Sequence, residues 1–191
     1  MGRIGKIALV ALAAALVAQT ADAQKSRKRA APERAAPAAA PPDKRDRLIS
    51  APGTPFNGRP YWQALAQCGG IYFKLNSLYS TAAIQAKLVK PDPAANVQFT
   101  KKSDAARRTA TAFFEAAERF LVADRGLAQD DAIMTYDARA GEEGERHKTI
   151  DAAEQATKPC PALYQACREA TPKICPNATI SADLPTRPAG S

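Results

Sequence analysis

The longest regular hydrophobic pattern in the chain lies between residues 61 and 88. Apolar side chains recur there at alternating spacings of four and three, which is the repeat of one face of an α-helix. The positions on this face are Tyr61, Leu65, Cys68, Tyr72, Leu75, Tyr79 and Ala82. Polar side chains such as Gln63, Lys74 and Lys87 stand between them. The pattern therefore predicts an amphipathic helix set in a protein core rather than a membrane span, and other helices should pack on it.

Two adjacent glycines, Gly69 and Gly70, interrupt the middle of this predicted helix. Each glycine costs a helix interior about 1 kcal/mol relative to alanine, so the pair needs a reason. Close approach of another backbone is one explanation, and a kink or a ligand pocket at the pair is the other. We favour close approach, because Cys68 lies beside the pair and could form a disulfide with a closely packed neighbour.

Shorter helical patterns follow the first helix. Asp92 and Pro93 offer an N-cap and a first-turn proline, although Val97 favours extended backbone, and the second helix is expected with more certainty from about Ser103. Gly126 is expected to end it.

The remaining chain carries two further helical patterns. One begins near Gln129, weakens at residues 141–144, and resumes through His147 towards Pro159. The last covers residues 162–170. No segment shows sustained strand alternation, so the prediction is an all-α, disulfide-stapled bundle of four or five helices over residues 61–176. Residues 177–191 are expected to form a disordered tail.

The N-terminal residues have the pattern of a secretory signal peptide. Two basic side chains precede an uninterrupted apolar run over residues 7–17, and Ala21 and Ala23 form a small-x-small cleavage motif. The apolar run is too short for a permanent membrane helix. Residues 1–23 are therefore predicted to be removed, and the mature chain should begin at Gln24. Export to a periplasm fits this signal best, and an extracellular location stays open.

Residues 24–60 differ in composition from the rest of the chain. They are rich in alanine and proline, and they carry nine basic and three acidic side chains, a net +6 of the total +8. We expect a disordered linker without a core. Its basic block could contact anionic envelope surfaces, although a soluble spacer is the simpler interpretation. That block consists of Lys25, Arg27, Lys28 and Arg29. Export argues against a nucleic acid partner.

Four cysteines in an exported chain predict two disulfides. Cys160 and Cys167 stand about 10.5 Å apart along a straight helix, which is beyond disulfide reach. We prefer Cys68 with Cys160 and Cys167 with Cys175, because the turn after Thr171 can return the chain to Cys167. Pairing Cys68 with Cys167 and Cys160 with Cys175 is the close alternative.

One group of side chains has the spacing of a ligand site. Glu143, His147 and Asp151 follow one another at intervals of four, so one helix face could hold a divalent metal or orient the histidine as a base. A solvated charged face is the stronger interpretation, because a lone histidine does not make a common zinc site. No nucleophile motif and no cofactor fingerprint occurs.

The sequence thus predicts an exported, non-enzymatic helical module that binds or scaffolds. Its partner would be an unidentified protein or an anionic component of the envelope, and its oligomeric state is not indicated. One alternative is a small-ligand or metal-binding domain with its site near Gly69 and Gly70 or at His147. A hydrolase with an unrecognised site is the weaker alternative.

Overall fold

The structure is a computed structural model that describes residues 45–178 and 180. These residues form five α-helices and a π-helical turn, and no strand occurs among them beyond one isolated bridge. The elements are α1 (Tyr61–Leu88), α2 (Pro93–Phe120), the π-helical turn (Leu121–Arg125), α3 (Gln129–Gly144), α4 (Ile150–Thr157) and α5 (Cys160–Ala170). The predicted all-helical fold with two disulfides is confirmed. The predicted signal peptide, most of the basic linker and most of the C-terminal tail lie outside the described residues.

The first two helices form a long antiparallel hairpin. The Asp92 side chain caps α2 by accepting a hydrogen bond from the backbone N–H of Ala95 at 2.9 Å, and Pro93 occupies the first turn. The helix therefore starts ten residues before Ser103. At the other end of the hairpin, the rings of Tyr61 and Phe120 stack at 4.9 Å between centroids.

The core lies along the inner face of α1. Leu65, Tyr72, Leu75 and Tyr79 are almost fully buried, and Tyr72 stacks on Phe113 of α2. Burial raises the pKa of Tyr72 to about 12. The apolar stripe read from the sequence is thus the surface on which the other helices pack.

Two disulfides hold the C-terminal part of the bundle. Cys68 of α1 bonds to Cys160 at the start of α5, across 92 residues of chain. Cys167 bonds to Cys175, across eight residues. This is the pairing that we preferred from the sequence, and all four cysteines are buried.

Part of the predicted linker belongs to the folded domain, which corrects the boundary expected at residue 60. Ile49 and Phe56 are buried in the core. The backbone N–H of Ile49 donates to the Arg59 carbonyl at 2.9 Å, so residues 45–60 fold back on themselves as a loop. Burial of these two side chains compensates for the ordering of a segment rich in proline and glycine.

Two reciprocal ion pairs fix this loop to the π-helical turn. Arg47 contacts Asp124 through its guanidinium group at 2.6 Å and through its backbone N–H at 2.9 Å. Arg125 donates two hydrogen bonds of 2.7 Å to the carboxylate of Asp46, which also accepts one from the indole N–H of Trp62. The left-handed Gly126 then ends the turn.

The Asp46 pair makes stability depend on pH. Hydrogen bonds from Arg125 hold the pKa of Asp46 below its ordinary value of 3.8. Because the pKa of Asp46 is lower in the folded protein than in the unfolded chain, its charge stabilises the fold above pH 3.8. This stabilisation is lost as the pH falls through the pKa of Asp46 in the folded protein. We therefore expect Asp46→Asn to unfold more easily than the wild type near neutral pH, with the difference shrinking below pH 3.8. Urea unfolding at a series of pH values measures this.

The matched control is Asp104→Asn. Asp104 forms an exposed pair with Arg107 at 3.9 Å, and such pairs contribute little to stability. We expect its unfolding curve to follow the wild type throughout. A penalty for Asp46→Asn that persists unchanged into acid would contradict the assigned role of its charge.

Candidate functional site

Helices α1 and α3 touch at the glycines noted in the sequence. A Cβ atom on Gly70 would overlap the backbone carbonyl of Ala140, and one on Gly144 would lie 3.2 Å from the carbonyl oxygen of Gly70. A Cβ on Gly69 would overlap the ring of Phe114. The glycines therefore allow two backbones to approach closely, as we favoured from the sequence.

A cleft opens beside this contact, and it is the candidate site. Its volume is ≈ 570 Å³. Its lining residues come from three helices: Gly70, Phe73, Lys74 and Ser77 of α1, Phe114 of α2, and Asp137, Ala140, Gly141 and Gly144 of α3, with Glu145 just beyond. The volume lies within the range of small-molecule sites, which is about 300–1,000 Å³.

Aromatic rings form one wall of the cleft. Phe73 lies 6.4 Å from Phe114, and Phe114 stacks on Tyr136 at 5.3 Å between centroids. Phe114 and Tyr136 are largely covered, but Phe73 is 57% exposed. The wall is therefore held in place from behind while its outer ring stays open to solvent.

Charges of both signs line the rim. The Lys74 ammonium lies 3.4 Å from the Glu145 carboxylate, which Lys148 also contacts at 2.6 Å. These two lysines lower the pKa of Glu145. Asp137 adds a second carboxylate to the lining. Because Lys74 and Glu145 are paired with one another, the rim does not present a strong field of one sign.

The predicted face of Glu143, His147 and Asp151 does not form, because α3 ends at Gly144 and a turn separates it from α4. Glu143 is buried and contacts His147 at 3.3 Å and Arg146 at 3.1 Å. Asp151 lies in the first turn of α4. Among the described residues, no three His, Cys, Asp or Glu side chains are placed to hold a metal. A spacing of four places side chains on one face only where the helix is continuous, and here the helix ends at Gly144.

The sequence did not predict a cluster of polar side chains that contact one another inside the bundle. Lys102 of α2 is 4% exposed, and its ammonium lies 3.4 Å from the Glu154 carboxylate of α4. The Tyr79 hydroxyl donates to the same carboxylate, and Lys102 lies over the Tyr79 ring at 5.2 Å. Burial raises the pKa of Tyr79, and the neighbouring carboxylate adds to this effect.

One sequence signal could have revealed Lys102. It precedes Ala106, Ala110 and Phe113 at helical spacing, so it lies on the apolar face of α2. A lysine at such a position requires a buried partner. Glu154 could not be named as that partner, because the two residues are 52 positions apart.

The last set of predicted contact residues is the N-terminal basic block. Lys25, Arg27, Lys28 and Arg29, proposed from the sequence to meet an anionic surface, lie outside the described residues. Within residues 45–178 and 180, no helix is both long and apolar enough to cross a membrane.

Comparisons with known proteins found no matching family model, no matching curated protein and no matching solved structure.

Proposed function

We propose that this chain is an exported, non-enzymatic binding module that receives an apolar side chain of a partner protein in the cleft between α1 and α3. The observation that carries the proposal is the exposed ring of Phe73 in a concave site. Aromatic side chains are enriched in protein interfaces, where a few residues that fill pockets supply most of the binding energy.

The chemistry of the rim supports an uncharged anchor on the partner. Lys74 and Glu145 are paired with one another, and Asp137 is the only other charged side chain among the described residues that line the cleft. The floor consists of glycine and alanine backbone, which leaves space for an aromatic or long aliphatic group. An aromatic side chain stacked on Phe73 fits both features.

Binding is preferred to catalysis because the polar side chains within the bundle already have partners there. Tyr79, Lys102 and Glu154 contact one another, and the ammonium of Lys102 is buried. Glu143 is likewise occupied by Arg146 and His147. These groups contribute to the stability of the bundle rather than facing a substrate.

The disulfides bear on the compartment in which the protein would meet its partner. Two disulfides are compatible with an exported protein. We propose a periplasmic location, where the basic block at residues 25–29 would meet anionic envelope surfaces while the cleft binds its partner.

The test uses indole, an uncharged aromatic probe. The mature protein is titrated while backbone amide chemical shifts are recorded, and saturable shifts should concentrate at the cleft. Gly141→Met should abolish them, because Gly141 lines the cleft and an added side chain there would meet no neighbouring atom that excludes it. Phe73→Ser should weaken binding by about fivefold, through loss of one aromatic contact.

The control is Met134→Ser, which removes an exposed apolar side chain that does not line the cleft. It should leave the titration unchanged. Shifts that never saturate, or that persist in Gly141→Met, would overturn the proposed site.

A small organic ligand is the second candidate for the same cleft, because the volume of ≈ 570 Å³ would accommodate one. Native mass measurement of protein purified from its source separates the two. A retained small mass that Gly141→Met lacks would favour the small ligand.

A further inference from the structure

The end of the bundle at residues 84–97, where the turn of residues 89–92 joins α1 to α2, exposes a group of aliphatic side chains. Leu88 and Val89 are 69% and 78% exposed, and Ile84 and Val97 are more than half exposed. Ile84 and Leu88 are one helical turn apart on α1 and so share a face. We call these residues the hairpin tip.

The hairpin tip is held by hydrogen bonds. The side-chain amide of Asn96 donates to the carbonyl of Ala83 at 2.9 Å, which ties the start of α2 to the end of α1. The backbone N–H of Asp92 donates to the carbonyl of Ala86 at 2.7 Å. The aliphatic side chains are therefore presented to solvent by a fixed turn rather than by a frayed helix end.

Three exposed lysines lie in the hairpin tip or within a few residues of it. Lys87, Lys90 and Lys101 are exposed, and none of them forms a salt bridge within the described part of the chain. Between residues 48 and 103 the single acidic residue is Asp92, whose carboxylate caps α2. Exposed aliphatic side chains with lysines close to them in the chain complement a surface that is apolar below and anionic above.

We propose that the hairpin tip docks on an anionic phospholipid surface. Leu88 and Val89 would enter the boundary between headgroups and acyl chains, and the lysines would lie among the headgroup phosphates. A second copy of the chain is a poorer occupant, because it would bring two sets of lysines together. An aromatic peptide anchor is also a poorer fit, because the tip is convex.

This docking leaves the cleft accessible. Ser77, the cleft residue of α1 nearest to the tip, lies 11 residues before Leu88, a distance of about 16 Å along the helix axis. That this lipid surface belongs to the cell envelope rests on the proposed export. That the hairpin tip contacts lipid rests on the residues of the tip alone.

The experiment measures sedimentation of the mature chain with vesicles. One set is phosphatidylcholine and the other is phosphatidylcholine mixed with phosphatidylglycerol. Because the N-terminal basic block would also bind anionic lipid, all proteins carry Lys25→Gln, Arg27→Gln, Lys28→Gln and Arg29→Gln. We expect binding to the mixed vesicles only, and weaker binding as salt is raised.

Two double variants separate the apolar and charged contributions. Leu88→Ser with Val89→Ser should lower partitioning about tenfold or more. Lys87→Gln with Lys90→Gln should lower it by about fivefold for each lysine and should remove most of the salt dependence. Met134→Ser, at an apolar site 64% exposed elsewhere, should bind like the parent.

Equal vesicle binding by the Leu88 and Val89 variant would overturn the proposal, as would equal binding to both lipid compositions. A doubled solution mass that falls to that of a monomer in this variant, without vesicle binding, would instead identify the tip as a self-association surface. Failure here is distinct from failure of the cleft, because the indole titration of the same variants reports on the cleft alone.

Discussion

Replacing Cys68 and Cys160 together by alanine is expected to lower the free energy of unfolding by about 4–5 kcal/mol. The disulfide closes a chain segment of 92 residues, and a cross-link of that span removes much of the entropy of the unfolded chain. Alanine is preferred to serine because both sites are fully buried and would strand a hydroxyl. A loss of this size is a large part of the stability of a small domain, about 5–15 kcal/mol, so denaturant unfolding should show a much lower midpoint.

The second disulfide is the internal control for this effect. Cys167 and Cys175 are eight residues apart, so replacing both by alanine should cost only about 2–3 kcal/mol in the same chain-entropy treatment. The order of the two variants is the decisive feature. An equal or larger loss for the short-range pair would contradict the account of Cys68 and Cys160 as the principal cross-link.

Replacing Gly70 by alanine is expected to lower the free energy of unfolding by about 3 kcal/mol, although alanine is the better helix former. The added methyl group would overlap the backbone of Ala140, and a backbone cannot move aside as a side chain can. The variant must separate α1 from α3, which loses packing along the contact. Urea unfolding of the purified variant measures the loss.

Substitutions at two other glycines serve as comparisons for Gly70→Ala. Gly69→Ala would meet the ring of Phe114, which is a side chain rather than a backbone, so its cost should be smaller than that of Gly70→Ala. Gly141→Ala would meet open space and should raise the stability by about 0.5–1 kcal/mol through helix propensity. If all three substitutions changed stability equally, the close helix contact would play no part.

Helix α1 could be predicted from end to end because burial of one face leaves a periodic record in the sequence. The start of α2 could be predicted only in part: Asp92 and Pro93 indicate a cap, but Val97 and Phe99 favour extended backbone and leave the next turns open. The cap at Asp92 and the packing of Phe99 on Tyr79, at 6.4 Å between rings, outweigh that preference. Tertiary contacts here overrule local propensity.

The folded part of the linker was missed for a similar reason. Composition alone made residues 45–60 resemble the basic segment before them. Their partners lie far along the chain: Asp124 is 77 positions from Arg47, and Arg125 is 79 from Asp46. No local sequence pattern can indicate contacts between residues so far apart in the chain.

The candidate cleft could be predicted only in part. The glycine pair indicated close helix contact, but the wall depends on Phe114 and the floor on Ala140, which become neighbours only in the fold. The His147 site shows the opposite error, since a spacing of four is meaningful only while the helix continues.

The most direct test of an exported, disulfide-stapled module is peptide mapping under non-reducing conditions of the protein isolated from the cells that make it. We expect an N-terminus at Gln24, no free thiol, and two linked peptide pairs joining Cys68 to Cys160 and Cys167 to Cys175. An intact Met1 together with four free cysteines would contradict export, and with it the proposed partners.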